Sequence, residues 1–239
     1  DLNGDGKADL AVTNAGSNSV SVLRNTSSSG TITISSFAGN VDFATGTQPY
    51  SVGIADLDGD GKADLAVANI SSHTISIFRN TSSNGIINTS SFTAKVDFTT
   101  GNNPRSVAIG DLDGDGKVDL AVATSGSSTI SVYQNTSSNG SITSSSFAAK
   151  VDFVTVGNST AVAIGDLDGD GKADLAVANV SNQNISIFRN TSSNGSITSS
   201  SFAAKVDLTT GDSPYSLAIG DLDGDGKADL AVTNQNSAT

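Results

Sequence analysis

The chain has no cysteine, no methionine, no tryptophan and no glutamate; it carries one histidine and three prolines in 239 residues. Without cysteine there is no disulfide staple, no thiol nucleophile and no Cys-based metal site. With one His and no Glu or Cys, general acid–base chemistry would fall to aspartate. No apolar run approaches the roughly 20 residues that a helical bilayer crossing requires, and no signal segment opens the chain. The sequence starts without Met, inside a motif that recurs downstream. It therefore reads as a mature product or as a segment cut from a longer protein.

What the chain has is aspartate in a fixed rhythm. DLNGDGKADL begins at Asp1, DLDGDGKADL at Asp56, DLDGDGKVDL at Asp111, and DLDGDGKADL again at Asp166 and Asp221, an interval of 55 residues. All 24 acidic residues are Asp, and 19 of them lie in these five loops. The formal charge of −12 is thus mostly loop charge. With no basic stripe beside it, nucleic acid is excluded as a partner.

Within each loop, oxygen-bearing side chains stand at positions 1, 3, 5 and 9. They are Asp1, Asn3, Asp5 and Asp9 in the first copy; Asp56, Asp58, Asp60 and Asp64 in the second; Asp111, Asp113, Asp115 and Asp119 in the third. The fourth copy has Asp166, Asp168, Asp170 and Asp174, and the fifth Asp221, Asp223, Asp225 and Asp229. Ca²⁺ is a hard cation that takes about six to eight oxygens at roughly 2.3–2.6 Å, and closely spaced carboxylates on a tight turn supply them. Gly61 at position 6 permits the turn. The backbone carbonyls of Lys7, Lys62, Lys117, Lys172 and Lys227 at position 7 are further candidate ligands, with the ammonium groups expected in water. Magnesium fits less well, because it demands near-octahedral geometry and keeps its waters. The reading is one Ca²⁺ per loop, up to five. An EF-hand also opens D-x-D-x-D-G, but it needs a bidentate Glu at position 12 and flanking helices. Position 12 here is Val12, Val67, Val122, Val177 or Val232, and the flanking segments alternate as strands do.

One period taken from residue 101 holds four strand-like segments. Ser106 to Gly110 alternates Val107 and Ile109 with small residues, as suits an innermost strand. Leu120 to Ala123 follows the acidic loop, and Thr129 to Tyr133 follows a short turn. The fourth is an outer strand on which Phe147, Ala149, Val151 and Phe153 are expected to share a face, with Lys150 and Asp152 toward water as edge protection. A sheet of this size cannot bury both faces alone, so neighbouring copies must stack. The predicted fold is all-β, a β-propeller of four-stranded blades of about 55 residues; a linear β-solenoid is the competing arrangement. The expected units are a partial blade at 1–45, blades at 46–100, 101–155 and 156–210, and a partial blade at 211–239.

SVAIGDLDGDGKADLAVAN followed by an ISIFRN strand resembles the FG-GAP/VCBS repeats of bacterial extracellular proteins and, more distantly, the propellers of integrin α-subunits. The resemblance runs along essentially the whole chain. Its literal Phe-Gly and Gly-Ala-Pro cassettes are missing, so the match is to the broad repeat class. It implies a calcium site between the first and second strands of each blade, and rings of seven or eight blades, of which this chain would be an incomplete window.

The expected function is a non-enzymatic, calcium-binding extracellular or cell-surface scaffold or adhesion module, its uniform faces suited to self-association into surface or matrix filaments. The alternative is the propeller domain of a secreted polysaccharide-active enzyme or a glycan-binding protein. The residues that break the repeat are His73, aligned with Asn18, Ser128 and Gln183, and Arg105, aligned with Tyr50, Thr160 and Tyr215. Tyr50, Arg105 and Tyr215 are the candidates for contact with a glycan or protein partner. The Asn-Thr-Ser triplets at Asn25, Asn80, Asn135 and Asn190 satisfy the glycosylation acceptor pattern. Asn69, Asn88, Asn139, Asn158, Asn179, Asn184 and Asn194 do so as well.

Overall fold

The computed structural model describes residues 1–83, 85–193 and 195–237. Five antiparallel sheets follow one another along the chain. The first holds β1 (Leu10–Asn14), β2 (Ser19–Leu23) and β3 (Val41–Ala44). The second holds β4 (Pro49–Ala55), β5 (Asp64–Asn69), β6 (Thr74–Phe78) and β7 (Val96–Thr99). The third holds β8 (Pro104–Gly110), β9 (Asp119–Thr124), β10 (Thr129–Tyr133) and β11 (Val151–Val154). The fourth holds β12 (Ser159–Gly165), β13 (Asp174–Asn179), β14 (Asn184–Phe188) and β15 (Val206–Thr209), and the fifth β16 (Pro214–Gly220) and β17 (Asp229–Asn234). In each four-stranded sheet neighbours in sequence are neighbours in space, the meander of a propeller blade. Among the described residues the blades do not close into a ring.

The core lies between blades. Leu65, Val67, Phe78 and Phe92 of the second blade pack with Leu2, Val20, Val22 and Phe43 of the first sheet. The other two clusters repeat this between the second and third blades and between the third and fourth. Every residue of β5, β9 and β13 is buried, which is why these strands read DLAVAN or DLAVAT without a polar side to spare. In two of them the terminal asparagine starts a ladder of hydrogen bonds across the sheet. In the second blade, Asn69 Nδ2 donates to Ser76 Oγ at 2.8 Å, and Ser76 Oγ to Asp97 Oδ1 at 2.6 Å. Asn179, Ser186 and Asp207 repeat it at 2.9 and 2.6 Å.

Inner strands β4, β8, β12 and β16 lie side by side, and they come close where one residue is glycine. A Cβ on Gly110 would stand 2.9 Å from Ile164 Cγ2, and one on Gly165 2.8 Å from Ile219 Cγ2.

The outer strand differs from expectation. Phe147 lies outside β11 and packs edge-on to Phe98 of the preceding blade, at 5.2 Å between ring centres. Phe153 packs edge-on to Phe202 of the following blade at 4.9 Å. The two phenylalanines thus serve opposite junctions and do not share a face. The strand begins only at Val151, so the two-residue alternation assumed from residue 147 does not hold across the irregular stretch before it.

Candidate metal loops and the axial bulges

The last four acidic loops each join the first and second strands of a blade: residues 56–63 lie between β4 and β5, and residues 111–118 between β8 and β9, while the first loop leads into β1. The first aspartate folds the loop onto itself. Asp56 Oδ1 accepts from Gly59 N and Oδ2 from Gly61 N, both at 2.8 Å. Asp111, Asp166 and Asp221 bind the equivalent glycine amides at 2.7–2.9 Å. Gly59 and Gly61 have φ of 74° and 85°, left-handed values that suit glycine at these two turns. The aspartates at positions 3 and 5 each spend one oxygen on the backbone two residues on. Asp58 Oδ1 accepts from Asp60 N at 3.1 Å and Asp60 Oδ1 from Lys62 N at 3.0 Å, leaving each Oδ2 directed away from the backbone.

The aspartate at position 9 is the buried anchor. Asp64 Oδ2 accepts from Leu57 N at 3.0 Å and Oδ1 from Asn80 N at 2.7 Å, so one carboxylate ties the loop to the end of the third strand. Asp119 makes the same pair with Leu112 N and Asn135 N, and Asp174 with Leu167 N and Asn190 N. Burial pushes the carboxyls of Asp64 and Asp119 up to about 7, with the neighbouring loop carboxylates adding to the shift and the backbone N–H groups opposing it. Burial raises Asp174 in the same direction.

Carboxylate oxygens of Asp56, Asp58 and Asp64 lie within 4.8 Å of one another, as do those of Asp111, Asp113 and Asp115, of Asp166, Asp168 and Asp174, and of Asp221, Asp223 and Asp225. Oxygens around one Ca²⁺ stand up to about 5 Å apart, twice the bond length, so these groups fit the ion. The first loop forms no such acidic trio among the described residues; Asn3 replaces an Asp there and its amide donates to Asp5. The lysines at position 7 are exposed, as expected, but four of their ammonium groups also find a backbone partner. Those of Lys7, Lys62, Lys117 and Lys172 reach the carbonyls of Ser27, Ser82, Ser137 and Ser192 at 2.8–2.9 Å, because the long stem spans the distance to the loop after the third strand. Lys227 lies beside Asp225.

The Asn-Thr-Ser triplets are part of this same construction. Asn80 Nδ2 donates to Leu2 O of the preceding acidic loop at 2.8 Å and to Ala63 O of its own at 2.7 Å, while Oδ1 accepts from Ser82 N. Ser82 Oγ adds a second bond to Leu2 O at 2.6 Å. Asn135 with Ser137 clasps Leu57 O, and Asn190 with Ser192 clasps Leu112 O, in the same way. These three asparagines are buried with their amide nitrogens committed, so they cannot bear sugar in this fold; the acceptor reading is corrected at Asn80, Asn135 and Asn190. Asn25 is half-buried and holds Ala8 O. Asn69 and Asn179 are buried in the sheet ladders, Asn88 and Asn139 are exposed, and Asn194 lies outside the described residues.

At the first three junctions a cleft separates successive acidic loops. The first is about 480 Å³, with Asp1 and Asn3 on one wall and Lys62 and Ser82 on the other. It is open to solvent and gives an ion access to the loop.

A second cluster was legible only in part. The register of each inner strand slips by one residue after Pro49, Pro104, Ser159 and Pro214, and the residues bulged out are Tyr50, Arg105, Thr160 and Tyr215. Bulges re-aim side chains. Here they bring the Tyr50 and Tyr215 hydroxyls into contact and set the Arg105 guanidinium 5.6 Å above the Tyr50 ring, while Thr160 turns back to Pro214 O. Arg105 Nε is enclosed and has no hydrogen-bond partner. His73 is not part of this group. It occupies the left-handed turn after the second strand, and its Nδ1 accepts from Asn103 N at 3.0 Å, as Asn18 Oδ1 accepts from Gln48 N in the preceding repeat.

Stacked four-stranded blades, each with an acidic loop at the corner of its first two strands, define a tandem-repeat β-propeller. The chain belongs to the FG-GAP-like repeat family, whose profile matches residues 1–67, 56–122, 111–177 and 166–232. No curated protein matches it. Among solved structures it is similar to BBS1N in its complex with ARL6DN, at 15% identity over 98% of this chain, with TM-scores of 0.56 and 0.59 in two crystals. The V. cholerae biofilm matrix protein Bap1 shares 17% identity over 97% of this chain with a TM-score of 0.45. The chain spans 57–61% of the BBS1N chains and 33% of Bap1. At these identities the BBS1N likeness shows the fold. Among the described residues no helix is long and apolar enough to cross a membrane.

Proposed function

We propose that the chain is a calcium-stiffened extracellular scaffold or adhesion module, non-enzymatic, that binds one Ca²⁺ in each acidic loop. The observation that carries this reading is the coupling of loop to scaffold: Asp64 and Asp174, at position 9, belong at once to the converging carboxylates and to the hydrogen bonds that fix the blade. An ion there would neutralise buried, mutually repelling carboxylates and reinforce the corner that the next blade grips. Ca²⁺ would be held by Asp56, Asp58, Asp60 and Asp64, with the carbonyl of Lys62, and by their counterparts in the other loops. Binding only in the folded state stabilises by RT ln(1 + [L]/Kd), about 2.7 kcal/mol per site at a hundredfold excess over Kd. The test is differential scanning calorimetry of the chain in chelator and in millimolar CaCl₂. A melting temperature at least 10 °C higher with calcium is expected; coincident curves overturn the reading. Self-association into filaments is part of the same proposal, and electron microscopy with and without calcium tests it.

The bulge cluster favours a second reading, recognition of an extracellular glycan or protein partner at the propeller axis. Tyr50, Arg105 and Tyr215 offer an aromatic face, hydroxyls and a guanidinium on a chain of net negative charge. Titration of acidic oligosaccharides into native protein and into Arg105→Thr, the residue the next blade carries, tests it. Binding that the variant retains in full would discard this site.

A further inference from the structure

The acidic loops differ in a feature outside the repeated motif. Residue 21 positions after the third loop residue is Arg24, Arg79, Gln134 or Arg189. Arg79 Nε donates to Asp58 Oδ2 at 2.5 Å and its Nη2 to Asp60 Oδ2 at 2.6 Å. Those are the two oxygens left free when the backbone took Oδ1 of each residue, so the guanidinium holds the atoms that a metal ion would use. In the third loop, Gln134 Nε2 reaches only Asp113 Oδ2, at 2.7 Å, carries no charge, and spends a second bond on Gly195 O. No hydrogen bond or ion pair is made to Asp115 Oδ2 among the described residues, and Asp115 joins Asp111 and Asp113 in the converging trio. Asp60 is paired with Arg79 and stands outside the trio of Asp56, Asp58 and Asp64, as Asp170 stands outside that of the fourth loop without such a partner among the described residues, so the contrast rests on the ion pairs and not on trio membership.

From this contrast we infer that Arg79 is an internal counter-cation that competes with Ca²⁺ for its loop, and that Gln134 leaves the loop of Asp111–Asp119 as the tighter of the two. The inference rests on the calcium reading above. A charged hydrogen bond displaced or weakened by the ion costs binding: at about 1.5 kcal/mol, the low end for charged partners, affinity falls about tenfold. The first loop is weakened by a different route, the loss of one carboxylate at Asn3. Arg189 makes no ion pair with Asp168 or Asp170 among the described residues, so the fourth loop is not assigned to the clamped class.

Site-resolved titration separates the possibilities. Backbone amide resonances of Gly61 and Gly116, which bind the first carboxylate of their loops, report each ion independently in ¹H–¹⁵N spectra of chelator-stripped protein titrated with CaCl₂. In native protein Gly116 is expected to reach its midpoint at about tenfold lower calcium than Gly61. Arg79→Gln should bring the Gly61 midpoint down to that of Gly116, and Gln134→Arg should move Gly116 up to that of Gly61. Each variant installs a residue the repeat already uses at that position, so the scaffold has a precedent for both. Equal midpoints in native protein, or an Arg79→Gln variant with the Gly61 midpoint unmoved, overturn the competition while leaving calcium binding intact. Two amides that ignore calcium altogether overturn the calcium reading itself.

Discussion

The side-chain amide of Asn135 donates to the carbonyl of Leu57 at 2.9 Å, across 78 residues of chain and from one blade to its predecessor. Its second N–H goes to Val118 O at 2.8 Å and its oxygen accepts from Ser137 N at 2.9 Å, so one buried residue satisfies two loop carbonyls and a turn. Asn135→Ala should therefore destabilise by about 2–4 kcal/mol, because Val118 O and Ser137 N lose their partner without gaining water and Leu57 O keeps only Ser137 Oγ. Asn25→Ala, whose amide nitrogen holds only Ala8 O, should lose about 1 kcal/mol. Urea denaturation of the two variants compares them directly. Equal losses would remove the inter-blade contact as the cause.

Acidity should stabilise the metal-free protein. Asp64 and Asp119 titrate near 7 in the folded chain, against about 3.9 when unfolded. Between these values the folded state binds more protons, so their contribution is fully present below about pH 4 and is lost as pH rises through about 7. In chelator, the melting temperature should fall from pH 5 to pH 8. Saturating calcium should flatten or reverse that trend, because the ion stabilises the ionised form. A rising melting temperature in chelator over the same range would contradict the assignment.

Gly165 and Gly220 hold the same place in successive repeats and provide an internal control. A methyl on Gly165 would meet Ile219 Cγ2 at 2.8 Å, whereas one on Gly220 meets nothing within 4 Å. Gly165→Ala should cost about 1–3 kcal/mol through overpacking. Gly220→Ala should be neutral or stabilise by about 0.4–1 kcal/mol through the unfolded chain. Thermal melts of both variants settle the comparison, and an equal response would mean that the inner strands can part to admit a methyl.

Glycan occupancy tests the clasp from another side. Expressed in a glycosylating host, folded protein should carry sugar at Asn88 or Asn139 and none at Asn80, Asn135 or Asn190, as read by peptide mass spectrometry. Sugar on Asn135 in correctly folded material would contradict the buried clasp.

The parts legible in the sequence were those set by short-range pattern. The third strand at Thr129–Tyr133 follows from the alternation of Ile130 and Val132, and the acidic loop falls at the predicted corner because Asp and Gly spacing dictates the turn. The parts missed depend on contacts far along the chain. Asn80 and Ser82 look like an exposed acceptor triplet until Leu2, 78 and 80 residues away, is placed against them. The constant 16-residue step from Asp64 to Asn80, repeated from Asp119 to Asn135, was the available signal. Tyr50, Arg105 and Tyr215 stood out as breaks in the repeat, but only the bulges reveal that they leave the strand and meet.

The clasp also gives the chain a direction in time. Each donor lies downstream of the carbonyl it holds, never upstream, so during synthesis a newly made acidic loop must wait until roughly 80 more residues have emerged before it is closed. Blades would then lock in order from the amino terminus, each completed by its successor. Such a chain matures like a zip, and its most recently made loop is always the least finished one.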